Sequence, residues 1–158
     1  MAVWTPRGQT PQVRLDLRQD AAYFVGSLHL RTGDALVTRS DRMNSDATIA
    51  HLEAILKAYP DQLMLLFWGR APWHTSAAVQ ACLQRAWRME VVPFSVGAPD
   101  LNPHEHGWKL VCRAVEHHHD HTQIGALADA VAHERQSRQF SSSFFEKDGG
   151  SVVCPIFV

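Results

Sequence analysis

Apolar and polar residues alternate along VRLDLR (13–18), where Val13, Leu15 and Leu17 are interleaved with Arg14, Asp16 and Arg18. That is the period of a strand with one buried face. AAYFVGSLHL (21–30) is a longer apolar run, and the turn RTGD (31–34) joins it to ALVTRS (35–40), which predicts a hairpin. The period then lengthens. From a cap at Ser45 or Asp46, the residues Ile49, Leu52, Ile55, Leu56 and Tyr59 share one helical face until Pro60-Asp61 ends it. QLMLLFW (62–68) is almost continuously apolar, as expected of a strand covered on both faces. A second helix over about 75–88 is expected to turn Val79, Leu83, Ala86 and Trp87 inward, and MEVVPFS (89–95) reads as another short strand.

After the loop VGAPDLNP come two more helical stretches, about 103–117 and 122–138. The first puts Glu105, Trp108, Cys112 and Val115 on one stripe, and the second does so for Ile124, Leu127, Ala128 and Val131. A hairpin followed by strand–helix alternation predicts an α/β fold (α+β in stricter usage), a mixed sheet flanked by helices. The lead-in TPRGQTP (5–11) is expected to be extended. The domain is read over 1–138, leaving 139–158 as a divergent tail. SSSFFEKDGGSVVCPIFV (141–158) reads there as a polar stretch, a DGG turn and a final strand, which Pro155 should confine to an edge or a bulge.

Composition narrows the function classes. At 158 residues the chain can bury a substantial core. A formal net charge of −1 excludes the broad basic surface of a strong nonspecific polyanion binder, leaving room only for a local basic groove. Cys82, Cys112 and Cys154 are far apart and odd in number, so neither a disulfide framework nor a zinc ribbon is indicated. A reduced, cytoplasmic protein is expected. No apolar run approaches the ~20 residues that cross a bilayer, and the first residues do not read as a secretory signal.

Four stretches carry a resemblance: WTPRGQTP (4–11), GSLHLRTGDAL (26–36), LMLLFWGRAPWHTS (63–76) and VVPFSVGAPDLNPHEHGWK (91–109). In this order and spacing they resemble the mariner-related insertion-sequence transposases of the DDE superfamily, over roughly residues 3–138. The resemblance implies a ribonuclease-H-like catalytic domain that cuts and joins DNA with two Mg²⁺ ions. Such ions stabilise the attacking and leaving oxygens of an in-line displacement, and Mg²⁺ requires hard oxygen ligands. Three acids from separate elements supply them in the family: one on the first strand of the sheet, one after the buried fourth strand, and one on a later helix.

Carried onto this sequence, the helix acid matches Glu105, whereas the position after the buried strand is Gly69, which has no side chain to offer. The first acid would precede WTPRGQTP, where only Met1, Ala2 and Val3 stand. The resemblance therefore implies an N-terminally truncated domain that lacks its native first strand and keeps one carboxylate of three. Mg²⁺ is the family's cofactor; none is expected to be bound here, and Glu105 would be a metal ligand only in an active enzyme. The missing strand lies centrally in such a sheet, and a row of unpaired backbone groups there would be costly. Its place is expected to be filled by VRLDLR (13–18), by VVCPIFV (152–158) or by a strand from another copy.

Each candidate has a plainer use. With Asn102 as cap and Pro103 at the first helical position, Glu105 can close a capping box. His74 and Arg70 could line a DNA site, yet His74 could equally orient the helix start through a hydrogen bond. Asp100 suits a turn, and Asp16, flanked by arginines, suits a solvated strand face. The histidines at 104, 106, 116–121 and 133 include good metal ligands but no four-ligand spacing. Trp68, Trp73, Trp87 and Trp108 are expected to pack rather than to stack on bases. The sequence thus points to a DDE domain without strand-transfer activity, whose partners are DNA, weakly, or a homodimer or full-length transposase that it pairs with. An active Mg²⁺-dependent nuclease would need unorthodox ligands.

Overall fold

The computed structural model describes residues 21–95, 102–116, 123–140 and 153–157. The long apolar run becomes β1 (Tyr23–His29), which pairs antiparallel with β2 (Ala35–Ser40) from Tyr23↔Ser40 to Leu28↔Ala35. Gly33 makes the reversal with φ of 75°, a left-handed conformation that glycine takes without strain. Its carbonyl accepts a hydrogen bond of 3.0 Å from the Phe140 amide. A Cβ on Gly33 would stand 2.4 Å from the Phe140 carbonyl oxygen, so the close approach also demands glycine.

Helix α1 (Ser45–Ala58) is capped by Asn44 rather than by Ser45 or Asp46, the Asn44 side chain accepting from the Ala47 amide at 2.9 Å. Asp46 then falls in the first turn, where its charge complements the helix dipole. β3 (Leu63–Trp68) follows, then a 3-10 turn (Pro72–Thr75), α2 (Ala77–Arg85) and β4 (Met89–Pro93). α2 is shorter than its apolar spacing predicts. Ser76 caps its start by accepting from the Val79 amide, and the chain leaves the helix at Ala86. Trp87 is thereby thrown outward and is 80% exposed, a correction to its expected place in the core. α3 (Pro103–Glu116), α4 (Ile124–Ser137) and β5 (Val153–Phe157) complete the described elements.

These strands form one mixed sheet in the order β2-β1-β5-β3-β4. α1 and α2 cover one face, where Leu52, Ile55, Val79 and Cys82 pack on Met64, Leu66, Trp68 and Met89. Across the sheet, Val111 and Val115 of α3 and Val131 of α4 pack with Phe24 of β1. Burying each such side chain contributes about 1.5–3 kcal/mol. A ribonuclease-H-like arrangement of helices about a mixed sheet is what the sequence implied.

The place between β1 and β3 is taken by β5, from within the expected VVCPIFV. It runs parallel to β3, from Leu63↔Val153 to Phe67↔Phe157, and antiparallel to β1, through Leu28↔Phe157 and His29↔Ile156. The expected edge position is therefore corrected to an interior one. Pro155 is tolerated there for a reason visible in the register. His29 donates to Asp34 and accepts from Gly33, so the even-numbered residues of β1 point their backbone groups at β5. Leu28 therefore faces Phe157, and by alternation the Pro155 nitrogen also turns toward the β1 side. The pairing of β1 with β5 reaches only His29↔Ile156, so Pro155 lies one residue beyond it. The other candidate filler, residues 13–18, lies outside the described residues.

Candidate functional site

β3 delivers the chain to the site. Its register with β4 runs to Trp68↔Pro93, and the Phe94 amide donates to the Trp68 carbonyl at 2.9 Å, so the two strands leave the sheet together. Gly69 follows Trp68 directly. Among the described residues nothing lies within 4 Å of the place a Cβ would take on Gly69, so there the position is open to a side chain that the sequence does not supply. Next to it Arg70 is exposed, and its Nε donates to the Phe94 carbonyl at 2.8 Å, bridging the ends of β3 and β4.

His74 is buried in the 3-10 turn beyond. Its Nδ1 donates to the Gly69 carbonyl at 2.8 Å, so that nitrogen carries a proton. The ring lies flat on Trp68, with centroids 4.5 Å apart and planes 14° from parallel, and meets Trp73 edge-on at 6.2 Å. Burial lowers its pKa below the usual imidazole value, opposed by the bond to Gly69. Ser45 at the start of α1 donates to the Trp73 carbonyl at 3.4 Å and so ties the turn to the helix layer. His74 thus holds the loop after β3 closed through the backbone of Gly69. The side-chain bond is thus made to the loop after β3 and not to the start of α2, where the sequence reading placed its orienting alternative.

Glu105 lies in the first turn of α3, which opens at Pro103 directly after the buried Asn102, as the sequence implied. The side chains of residues 103–106, and with them the capping-box reading, lie outside the described residues, as do Asp16, Asp100 and the histidines of 116–121. His133 is exposed on α4. Among the described residues no three His, Cys, Asp or Glu side chains come together as a metal would require.

The donor chemistry can be set against the two Mg²⁺ ions that the resemblance implies. Those ions need carboxylates from the central strand and from the end of β3. The central strand here reads Val-Cys-Pro-Ile-Phe, and the end of β3 is Gly69. Neither offers a hard anionic oxygen, so these residues do not fit a dinuclear magnesium centre.

Among the buried polar residues that escaped the sequence reading, His51 and Arg135 are the most enclosed. His51 of α1 is fully buried, with Nδ1 2.8 Å from Thr38 Oγ1 of β2. Arg135 of α4 is also fully buried, its guanidinium 4.1 Å from the centroid of the Phe140 ring and 5.5 Å from that of Trp108. The signal was present in both cases. His51 falls between Thr48 and Leu52 on the buried stripe of α1, and Arg135 continues the stripe of Ala128 and Val131.

The family model of the DDE superfamily endonucleases matches residues 1–128. No curated protein matches the sequence. No described helix is long and apolar enough to cross a membrane.

Proposed function

The chain belongs to the DDE superfamily of endonucleases, and from that premise we propose that it is a domain of insertion-sequence transposase descent that does not cleave DNA by itself. The observation that carries this reading is Gly69 at the end of β3, on the position where the family places its second acid. The neutral sequence of β5 supports it from the neighbouring strand. Glu105 is then the remaining acid, and a lone carboxylate cannot hold two divalent cations against their hydration. With a formal charge of −1, any hold on DNA is weak and local, Arg70 being the described cation nearest the loop after β3. A cytoplasmic setting accords with the spacing of the cysteines.

Incubation of the full chain with plasmid and oligonucleotide duplexes in Mg²⁺ or Mn²⁺ tests the proposal. No cleavage above a buffer control is expected. Cleavage that Glu105→Ala abolishes would overturn it.

A second reading rests on a different observation. Leu63 and Trp87 are 44% and 80% exposed, and the 2.7 Å bond from the Met64 amide to the Arg88 carbonyl sets them at the same end of β3 and β4. An exposed apolar pair suits a protein contact, in line with a domain that pairs with itself or with an intact transposase. Light scattering on the chain alone, and mixed with a full-length transposase of the family, tests it. Unchanged monomer mass in both would remove the reading.

A further inference from the structure

The reversal between β1 and β2 is held by a side chain as well as by its backbone. His29, the last residue of β1, is buried, and its Nδ1 accepts from the Arg31 and Thr32 amides at 3.2 Å each. The Gly33 amide donates to the His29 carbonyl at 2.8 Å, so three successive amides of the turn converge on one residue. A ring nitrogen that accepts carries no proton, so this imidazole is neutral and keeps its proton on Nε2. Around the ring stand the charges of Arg31 and Asp34 from the turn, and Tyr59 and Gln62 from the end of α1 and the loop after it. The Tyr59 ring centroid is 5.2 Å away, and the Gln62 side chain shares a hydrogen bond with the imidazole. The closed turn is also the seat of Phe140. The Gly33 carbonyl accepts from its amide at 3.0 Å, and its side chain packs with both the Leu28–Leu30 cluster and the cluster of Val111, Val115 and Val131.

We propose that His29 is a proton-sensitive clasp, which with Nδ1 bare holds the turn closed and Phe140 seated, and on taking up a proton there releases both. A proton on Nδ1 would point at two N–H donors, so the protonated ring and the closed turn exclude one another. Burial holds the pKa of the ring below its ordinary 6.5, opposed by the Asp34 charge and the Gln62 bond. The clasp is therefore shut at neutral pH and opens as the pH falls below that value. Its reach extends to α4. The Phe140 ring that the turn seats lies 4.1 Å from the Arg135 guanidinium, so opening the turn loosens one wall around that buried charge. The clasp is independent of whether the chain cuts DNA.

Two measurements on the full chain decide the matter. Nitrogen-resolved NMR of the imidazoles at pH 7.5 is expected to show His29 with Nδ1 bare and Nε2 protonated. A proton on Nδ1 under those conditions overturns the proposal. Amide hydrogen exchange, corrected for intrinsic rates, follows the turn itself. Protection of the Arg31, Thr32 and Phe140 amides is expected to fall about tenfold or more between pH 7.5 and pH 5, while β3 and β4 amides fall by less. His29→Asn supplies a side-chain acceptor that does not titrate and that suits such a turn, so it should keep the three amides protected across the range. His29→Leu, with no acceptor, should leave the Arg31 and Thr32 amides fast at both pH values. Protection indifferent to pH in the unaltered chain, or the same acid loss in His29→Asn, sinks the inference.

Discussion

A Cβ placed on Gly107 of α3 would stand 2.5 Å from Nη1 of Arg135 on α4 and 2.8 Å from its Cζ. α3 and α4 therefore meet through a glycine that leaves room for a buried guanidinium. Burial pushes the Arg135 pKa down to about 10, and the group still carries its charge at neutral pH. The Trp108 and Phe140 rings beside it offer a cation–π environment in place of water.

Gly107→Ala should therefore destabilise the protein. Alanine is about 1 kcal/mol better than glycine inside a helix, but the added methyl must displace a head group that is enclosed on its aromatic sides. Overpacking of this kind costs about 1–3 kcal/mol, so a lower Tm is expected in thermal denaturation. Adding Arg135→Ala should recover part of the loss, giving a double variant less destabilised than the two single changes summed. Full additivity would show that the two positions do not press on one another.

Acid sensitivity should trace to His51. Burial pushes its pKa down to about 4 from an ordinary 6.5, so the unfolded chain binds the proton more readily than the folded one. Stability is then fully present above about pH 6.5 and is lost as the pH falls toward 4. A difference of this size corresponds to about 3 kcal/mol. His29 and His74 are shifted in the same direction, chiefly by burial, and add to the same window. His51→Leu gives up the bond to Thr38 but should flatten the fall in Tm between pH 7 and pH 4. An unchanged slope would place the acid lability elsewhere.

Gly69→Asp should fold as the parent does and still not cut DNA. The space around the position admits the side chain, so the change in stability should stay within about 0.5 kcal/mol. One restored carboxylate leaves the central strand neutral. Robust cleavage by this single variant in Mg²⁺ would show that another residue already supplies the first acid.

The tryptophans on β3 and before β4 should behave oppositely. Trp68 is buried against His74 and the α1–α2 layer, so Trp68→Ala should cost about 3–5 kcal/mol in chemical denaturation. Trp87→Ser should change stability by less than about 0.5 kcal/mol. A large loss at Trp87 would mean that it is covered in solution.

Much of this was legible in the order of apolar residues. β2 was read at its observed bounds, and β1 and β3 to within a residue or two at each end, because short runs between turn residues constrain themselves. Trp87 was misplaced because helical spacing continues past Arg85 in the sequence, and spacing alone does not register where the backbone stops bonding. β5 was misjudged for a more physical reason. A proline rules out an interior strand only if its nitrogen faces a neighbour, and that depends on a register that no local pattern encodes. At the site, Gly69 and His74 were both singled out from the resemblance, while the bond between them required the fold. Arg135 was missed because a charged residue on an apolar stripe is normally read as its boundary.

The seat of β5 also bears on how the molecule is assembled. Leu28 and Phe157 are neighbours in the sheet but stand almost the whole length of the sequence apart. Before that junction closes, no other described strand joins the β1–β2 hairpin to the β3–β4 pair. Contacts of such long range slow folding. During synthesis the two halves can be joined through this strand only once its residues have cleared the ribosome, and an emerging chain must keep the exposed edges of β1 and β3 from finding strangers until then.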